Sequence, residues 1–222
     1  MIRELLCPGL LKTGPVLDHL WVVRRGLMNF FVVEAPGGFV CFDAGWGVRR
    51  TSQALALLGV DAKKVVAVFL THMHWDHAGG VGAYPHAAFY VGDHEKPALI
   101  TGRLPASACM RVGDGQLVEA AGLPVRAIHT PGHTCGSVSY VAGNGLLFSG
   151  DTIRLWQGTA MPFAPWCSQD RSALFRSISK LAQLKGVAHI LTAHSGVTTN
   201  VDRAFRRWRG TPDRGQESQS ER

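Results

Sequence analysis

The 222-residue sequence has no apolar run approaching the roughly 20 residues that a membrane-spanning helix needs. Its first residues lack the basic head, apolar body and small-residue cleavage site of a secretory signal. The five cysteines are an odd number without a CxxC pair, so we interpret them as reduced thiols and not as a disulfide framework. These absences predict a cytoplasmic protein that does not enter the membrane.

The sequence also lacks the common motifs of other hydrolases. It has no GxSxG nucleophile elbow and no HExxH zinc helix, because Ala98 stands where the second histidine after His94-Glu95 would be. The net charge of +7 could attract anionic substrates or nucleic acid, but a solvated basic surface is the favoured interpretation. Since no basic patch is interleaved with aromatic residues, we do not expect a nucleic-acid partner.

Short β-rich segments and amphipathic segments alternate in one pattern that is used twice. We predict strands at Leu20–Val23, Asn29–Val33, Phe39–Phe42, Val65–Leu70, Ala87–Val91, Gln116–Ala120, Val125–His129, Val138–Val141, Leu146–Phe148 and Val187–Leu191. We predict helices at Thr51–Leu58, His94–Ile100, Ser168–Leu184 and Val201–Arg209.

This order predicts one α/β domain over residues 1–209, with helices covering layered sheets. Residues 210–222 have no apolar side chain and are expected to form a disordered polar tail. An irregular loop is expected to run up to Met110. Residues 153–166 are also expected to be irregular because they are rich in proline and aromatic residues.

The strongest chemical signal is the segment THMHWDHAGG, which begins at Thr71 directly after a predicted buried strand. Three imidazoles and one carboxylate fall within six residues, and these are the usual nitrogen and oxygen ligands of zinc and similar ions. The segment therefore predicts a metal site at the end of that strand.

Three later segments each place one possible ligand close behind a predicted strand. His133 stands on a Pro-Gly turn, Asp151 follows Ser-Gly, and His194 follows Thr-Ala. Residues at the carboxyl ends of strands can meet although they are distant in sequence. Together with the first segment, they supply enough ligands for two metal ions.

These motifs resemble the metallo-β-lactamase superfamily, whose HxHxDH signature is met by His72, His74, Asp76 and His77. The resemblance covers about residues 16–200. It implies an αββα sandwich of two mixed sheets flanked by helices. By resemblance, one metal is held by His72, His74 and His133, and a second by Asp76, His77 and His194. Asp151 would bridge both metals, and Asp43 would orient the ligand loops.

The implied ligand set predicts a dinuclear hydrolase, with zinc as the first choice and iron or manganese as alternatives. Two ions that share one water molecule should convert it to hydroxide at neutral pH. This hydroxide is expected to attack the carbonyl of a thioester, lactone, ester or amide. Asp76 would hold or relay the proton, so Asp76 and Asp151 are the predicted catalytic residues. The resemblance favours the glyoxalase II and lactonase branches. Glyoxalase II itself has a C-terminal glutathione-binding segment, which we do not expect in this sequence because of its length.

Two other functions remain open at this point. A mononuclear iron persulfide dioxygenase would use only His72, His133 and Asp151, and a phosphodiester or nucleic-acid hydrolase ranks third. We expect a small-molecule substrate, with Trp75, Arg154, Trp156 and Phe163 as candidate walls of its cleft. Ligand spacing does not reveal the oligomeric state.

Overall fold

The structure is a computed structural model that describes residues 9–96 and 109–210. Its strands are β1 Gly14–Leu17, β2 Leu20–Arg25, β3 Met28–Ala35, β4 Gly38–Phe42, β5 Val65–Phe69, β6 Ala88–Gly92, β7 Cys109–Val112, β8 Leu117–Ala120, β9 Leu123–His129, β10 Val138–Ala142, β11 Leu146–Phe148, β12 Ile153–Trp156, β13 Thr159–Pro162, β14 His189–Thr192 and β15 Gly196–Thr198. Its α-helices are α1 Val48–Leu57, α2 Trp75–Ala78, α3 Arg171–Ala182 and α4 Val201–Phe205. Two short 3₁₀ helices cover Ala62–Lys64 and Val81–Ala83.

The strands form two large mixed sheets. The first has the order β1-β2-β3-β4-β5-β6-β7, antiparallel as far as β4 and parallel from β4 to β7. The second has the order β15-β14-β11-β10-β9-β8, in which only the β11–β14 pair is parallel. Parallel pairs direct the carboxyl ends of their strands to one edge, and this edge gathers the candidate ligands.

Aromatic side chains fill the space between the two sheets. Phe42 of the first sheet stacks on Phe148 of the second, with ring centroids 3.7 Å apart and nearly parallel planes. Phe69 and Tyr140 meet edge to face beside them. The Tyr140 hydroxyl donates a hydrogen bond to the Leu70 carbonyl, so this buried phenol is satisfied. The two sheets therefore share one core.

Helices cover the outer face of each sheet. Leu55 of α1 packs with Val32 and Val68 on the outside of the first sheet. Ile178 of α3 and Phe205 of α4 pack with buried residues of the second sheet. Both faces of each sheet are buried, which explains why Phe30–Val33 in the middle of β3 is an unbroken apolar run in the sequence. The αββα sandwich expected from the sequence is confirmed.

Residues 153–162 correct one expectation, because they form a regular hairpin of β12 and β13. The register pairs Ile153 with Pro162 and Trp156 with Thr159. Gln157 and Gly158 both have positive φ, of 49° and 76°, as a two-residue type I′ turn requires. Only Gly signals this turn in the sequence, since Gln is an unusual residue at its first position.

Other departures from the expected elements are smaller. His94 lies in a turn and not in a helix, and most of the helix predicted there lies outside the described residues. The loop expected to run to Met110 lies outside them as well, except that Cys109 and Met110 belong to β7. The short strands β1 and β15 were not predicted. The expected tail, apart from Gly210, is outside the described residues.

No helix in the described parts of the chain is long and apolar enough to cross a bilayer.

Candidate metal centre

The candidate ligands come from four places that follow strands. His72 and His74 lie just beyond β5, and Asp76 and His77 lie in the short helix α2. The remaining ligands, His133, Asp151 and His194, follow β9, β11 and β14. Gly150 allows Asp151 to approach, since a Cβ at Gly150 would lie 2.5 Å from Thr71 Oγ1 and the φ there is 50°.

The first ligand group contains His72, His74, His133 and Asp151. The Nε2 atom of His133 lies 3.0 Å from Nδ1 of His74 and 3.2 Å from Oδ2 of Asp151. The Nε2 atom of His72 lies 3.9 Å from the same Asp151 oxygen. One ligand atom from each of the four residues therefore faces one small space.

The second group contains Asp76, His77 and His194. The Oδ2 atom of Asp76 lies 3.9 Å from Nε2 of His77 and 3.8 Å from Nε2 of His194. Asp151 reaches this group through its other oxygen, because Oδ1 lies 3.3 Å from Nε2 of His77 and 3.2 Å from Nε2 of His194. One carboxylate thus faces both groups with a different oxygen.

These separations fit metal ions. Zinc binds imidazole nitrogen at about 2.0–2.1 Å, so the ligands of one tetrahedral ion lie roughly 3.4 Å apart. The observed distances of 3.0–3.9 Å bracket that value. In addition, His72 Nε2, His77 Nε2 and Asp151 Oδ1 are buried without a hydrogen-bond partner among the described residues. Such orphaned atoms are costly unless something binds them.

The outward-facing nitrogens of the histidines are held by the protein. His77 Nδ1 lies 2.8 Å from Asp43 Oδ2, and His194 Nδ1 lies 2.6 Å from the Leu27 carbonyl. His72 Nδ1 lies 3.1 Å from Thr71 Oγ1. A donor–acceptor pair of this kind fixes the tautomer that presents Nε2 to a metal. The Thr71 and Leu27 contacts were not found from sequence, because a backbone carbonyl and a lone threonine carry no spacing signal.

Asp43 ties two of these segments together. Its carboxylate accepts hydrogen bonds from the Thr71 amide at 2.8 Å and from the Thr71 hydroxyl at 2.9 Å, besides facing His77. The residue is buried and has a φ of 63°, a strained conformation for a residue other than glycine. The structure therefore places Asp43 directly behind the ligand loop.

Burial and charge shift the pKa values of the centre in opposite directions. Burial and the neighbouring His77 charge hold the pKa of His72 well below its usual value, and burial lowers that of His133 to about 4. Burial opposes the charged form of His77 too, but the carboxylates of Asp151 and Asp43 raise its pKa well above the usual value. Burial would raise the pKa of Asp151, yet His194 and His77 hold it well below.

Comparison with known proteins agrees with this geometry. The family profile described as the metallo-beta-lactamase superfamily matches residues 23–194, which is most of the chain. The chain belongs to this superfamily. The matched range contains all seven candidate ligands.

Curated relatives of this superfamily member are hydroxyacylglutathione hydrolases. One from Aeromonas hydrophila is 32% identical over 198 residues, which cover 85% of this chain and 65% of the relative. One from Gloeobacter violaceus is 34% identical over 164 residues, which cover 69% of this chain and 57% of the relative. The chain thus spans less than two thirds of the length of these relatives.

Solved structures of other superfamily members share the fold. A metallo-beta-lactamase family protein from Thermus thermophilus has a TM-score of 0.66 and 22% identity, covering 87% of this chain and 79% of that one. A B3 metallo-beta-lactamase with an active-site glutamic acid has a TM-score of 0.67 and 16% identity, covering 93% and 89%.

In this member of the superfamily, the buried carboxylate of Glu95 joins two ligand loops. Its Oε1 accepts a hydrogen bond from the Met73 amide at 3.0 Å, and its Oε2 accepts one from the Thr134 hydroxyl at 2.6 Å. Met73 lies between two ligands of the first group, and Thr134 follows His133. Sequence reasoning missed Glu95, because a single glutamate behind a strand does not reveal which loops it contacts.

The four candidate substrate residues lie in different surroundings. Phe163 stacks on His194 at 4.5 Å and meets His133 edge to face at 5.9 Å, so it forms one wall of the centre. Trp75 is 48% exposed and stands between two ligands. Arg154 lies over the ring of Trp156 on β12, and Trp156 lines a cleft with Gly158 and Thr198. A substrate role for all four stays a prediction.

Proposed function

We propose that this chain is a dinuclear metal-dependent hydrolase acting on the carbonyl group of a small molecule, with thioesters as the first candidates. The observation that carries the proposal is the position of Asp151. Its two oxygens face two complete groups of ligand atoms at 3.2–3.9 Å. A single structural ion would need only one of these groups.

His72, His74, His133 and Asp151 would hold one ion, and Asp76, His77, His194 and Asp151 the other. Divalent ions bound there would lower the pKa of water from about 15.7 to about 7 and polarise a substrate carbonyl. We assign zinc to both positions, with iron or manganese as alternatives, since nitrogen and oxygen ligands accept several ions.

Asp76 is the residue that we assign to proton handling. Its side chain is 21% exposed, whereas Asp151 is 5% exposed, so Asp76 faces the open side of the centre. The carboxylate oxygen of Asp76 that does not face the second ligand group can accept a proton from an attacking water and return it to the leaving atom. Asp151 lacks this access and acts by holding the two ligand groups together. Phe163 covers His194 and keeps water from that side.

Thioesters come first because these curated relatives are hydroxyacylglutathione hydrolases at 30–34% identity. The relatives extend beyond the matched region, so glutathione as the thiol part is not included in the proposal. The cytoplasmic location expected from the sequence stays a prediction.

The first experiment is elemental analysis of the purified protein against its concentration. Two ions per chain, with zinc or a zinc-iron or zinc-manganese mixture, would support the dinuclear hydrolase. One iron per chain would contradict it and favour the persulfide dioxygenase, which oxygen uptake with glutathione persulfide would then test.

The second experiment measures hydrolysis of a panel of thioesters, lactones, esters and a phosphodiester by the metal-loaded protein. Turnover of a carbonyl substrate that a chelator abolishes and zinc restores would support the proposal. Turnover of the phosphodiester alone would overturn it. Asp76→Asn should lower kcat more than it lowers the metal content of the first group.

A further inference from the structure

Two arginines and two tryptophans form a surface beside the centre that the proposed mechanism does not use. We name Arg25, Trp46, Arg50 and Trp75 the basic rim. The guanidinium of Arg25 lies 5.9 Å from the centroid of the Trp46 ring, and that of Arg50 lies 5.4 Å from it. Trp75 meets Trp46 edge to face at 5.2 Å. The four side chains are therefore one contiguous patch.

The basic rim adjoins the second ligand group. Trp75 stands in the chain between His74 and Asp76, and its ring is 48% exposed. On the other side, the turn between β2 and β3 carries Leu27, whose carbonyl accepts the hydrogen bond from His194. Arg25 lies two residues before Leu27. A substrate bound at the centre can thus extend over the rim.

Within the described parts of the chain, the positive charges of the rim have no acidic partner. Neither Arg25 nor Arg50 makes a salt bridge within residues 9–96 and 109–210. Arg50 belongs to the first turn of α1, and that turn contains no acidic residue. The Nε atom of Arg25 is buried and lacks a hydrogen-bond partner among the same residues.

Two like charges beside one indole ring repel each other. Burial and the charge of Arg50 both lower the pKa of Arg25. Ordinary surface arginines avoid this cost by turning into solvent, because exposed side chains have many rotamers available. A bound anion would relieve the repulsion and supply acceptors for both guanidinium groups.

We propose that the basic rim binds an anionic group, a carboxylate or a phosphate, on the part of the substrate away from the scissile bond. This inference rests on the proposed hydrolase function and narrows its substrate class to anionic thioesters. Guanidinium groups match the planar oxygen pairs of such anions, and the two indoles supply an apolar wall for the carbon chain between anion and carbonyl.

The test compares three thioesters that share one acyl group. Their thiol parts are 2-mercaptoethanol, 3-mercaptopropionate and 2-mercaptoethyl phosphate, which are neutral, singly charged and more strongly charged. We expect kcat/KM of the wild-type protein to be about tenfold or more higher for at least one anionic thioester than for the neutral one. The preference should lie mainly in KM and decrease in 0.5 M salt.

Arg25→Gln and Arg50→Gln are the test variants, and Arg126→Gln is the matched control because Arg126 is an exposed arginine on β9. The test variants should bring the ratio of anionic to neutral kcat/KM close to one, while the control keeps it. If the ratio is larger for the thioester of 2-mercaptoethyl phosphate, the natural substrate carries a phosphate. If it is larger for the thioester of 3-mercaptopropionate, the natural substrate carries a carboxylate. Equal wild-type values for all three thioesters, or an unchanged ratio in both variants, would overturn the inference.

A binding measurement separates this inference from the proposed function. If the protein cleaves none of the thioesters, lactones and esters, the hydrolase proposal fails, and 3-(methylthio)propionate and 2-(methylthio)ethanol then serve as probes of the rim alone. Tryptophan fluorescence should change only with the carboxylate, and Arg25→Gln should weaken its binding about tenfold. The same response to both compounds would overturn the anion site.

Discussion

At the scale of single residues, Asp151 is the side chain on which both halves of the centre depend. We expect Asp151→Asn to lower the metal content below two ions per chain and turnover at least a hundredfold, because an amide offers one neutral oxygen where the carboxylate offers two charged ones. Metal analysis and steady-state kinetics measure both effects, and circular dichroism checks that the fold is kept. Asp202→Asn, at an exposed aspartate, is the control. Two tightly held ions in Asp151→Asn would refute the shared position.

Asp43 acts on the metal through His77. Asn can adopt the positive φ of 63° at this position, so Asp43→Asn should fold normally. It removes the carboxylate that faces His77 Nδ1, and a partner of this kind is typically worth 10–100-fold in metal affinity. Chelator competition should therefore show weaker binding at the group of Asp76, His77 and His194. The control is Asp18→Asn, which lies in an exposed turn and should bind metal as tightly as the wild type does. Metal affinity in Asp43→Asn equal to that of the wild type would contradict the role of Asp43 in holding His77.

At the scale of elements, the first ligand group depends on two loops that Glu95 joins. Glu95→Ala removes both acceptors of these hydrogen bonds, and Glu95→Gln keeps one of them. Each lost hydrogen bond to a buried charge costs about 1.5–3 kcal/mol. We expect the metal affinity of the first group and the unfolding free energy to fall in the order wild type, Glu95→Gln, Glu95→Ala.

The control for this series is Glu119→Gln, because Glu119 is exposed on β8. Metal titration and urea unfolding are measured on all four proteins. If both Glu95 variants lose stability but keep full affinity for the metal, Glu95 has only a structural role. Loss of affinity from the second group alone would also contradict the prediction.

The elements differ in how well the sequence predicts them. The strand at Val65–Phe69 and the motif behind it are predictable, because an apolar run and three nearby histidines are both local patterns. The hairpin of β12 and β13 is not, since its turn uses Gln157 where Asn or Asp is usual, and its last residue is Pro162. The pairing of β12 with β13 decides the conformation of residues 153–162. The contact of His194 with the Leu27 carbonyl is likewise set by tertiary packing.

At the scale of the whole molecule, the sandwich gathers buried histidines and carboxylates at one edge, and this makes the stability of the metal-free protein depend on pH. The pKa of His77 is raised well above 6.5 in the folded state. Above pH 6.5 the unfolded chain has lost this proton while the folded protein keeps it, so stability falls as the pH rises towards the raised pKa. The pKa values of His72 and His133 are lowered, so both are already neutral in that range and add nothing there.

We therefore expect the unfolding free energy of the metal-free protein to decrease from pH 6.5 to pH 9, by at most about 1.4 kcal/mol per pH unit. Urea unfolding at several pH values measures the slope. His77→Gln should flatten it, because the group that holds the extra proton is absent. Metal-loaded protein should also lack the slope, since a metal-bound imidazole has no proton to lose at Nε2. If metal-free His77→Gln shows a slope of the same size, other groups cause the pH dependence of the unfolding free energy. That result would contradict the ion pair of His77 with Asp151 and Asp43.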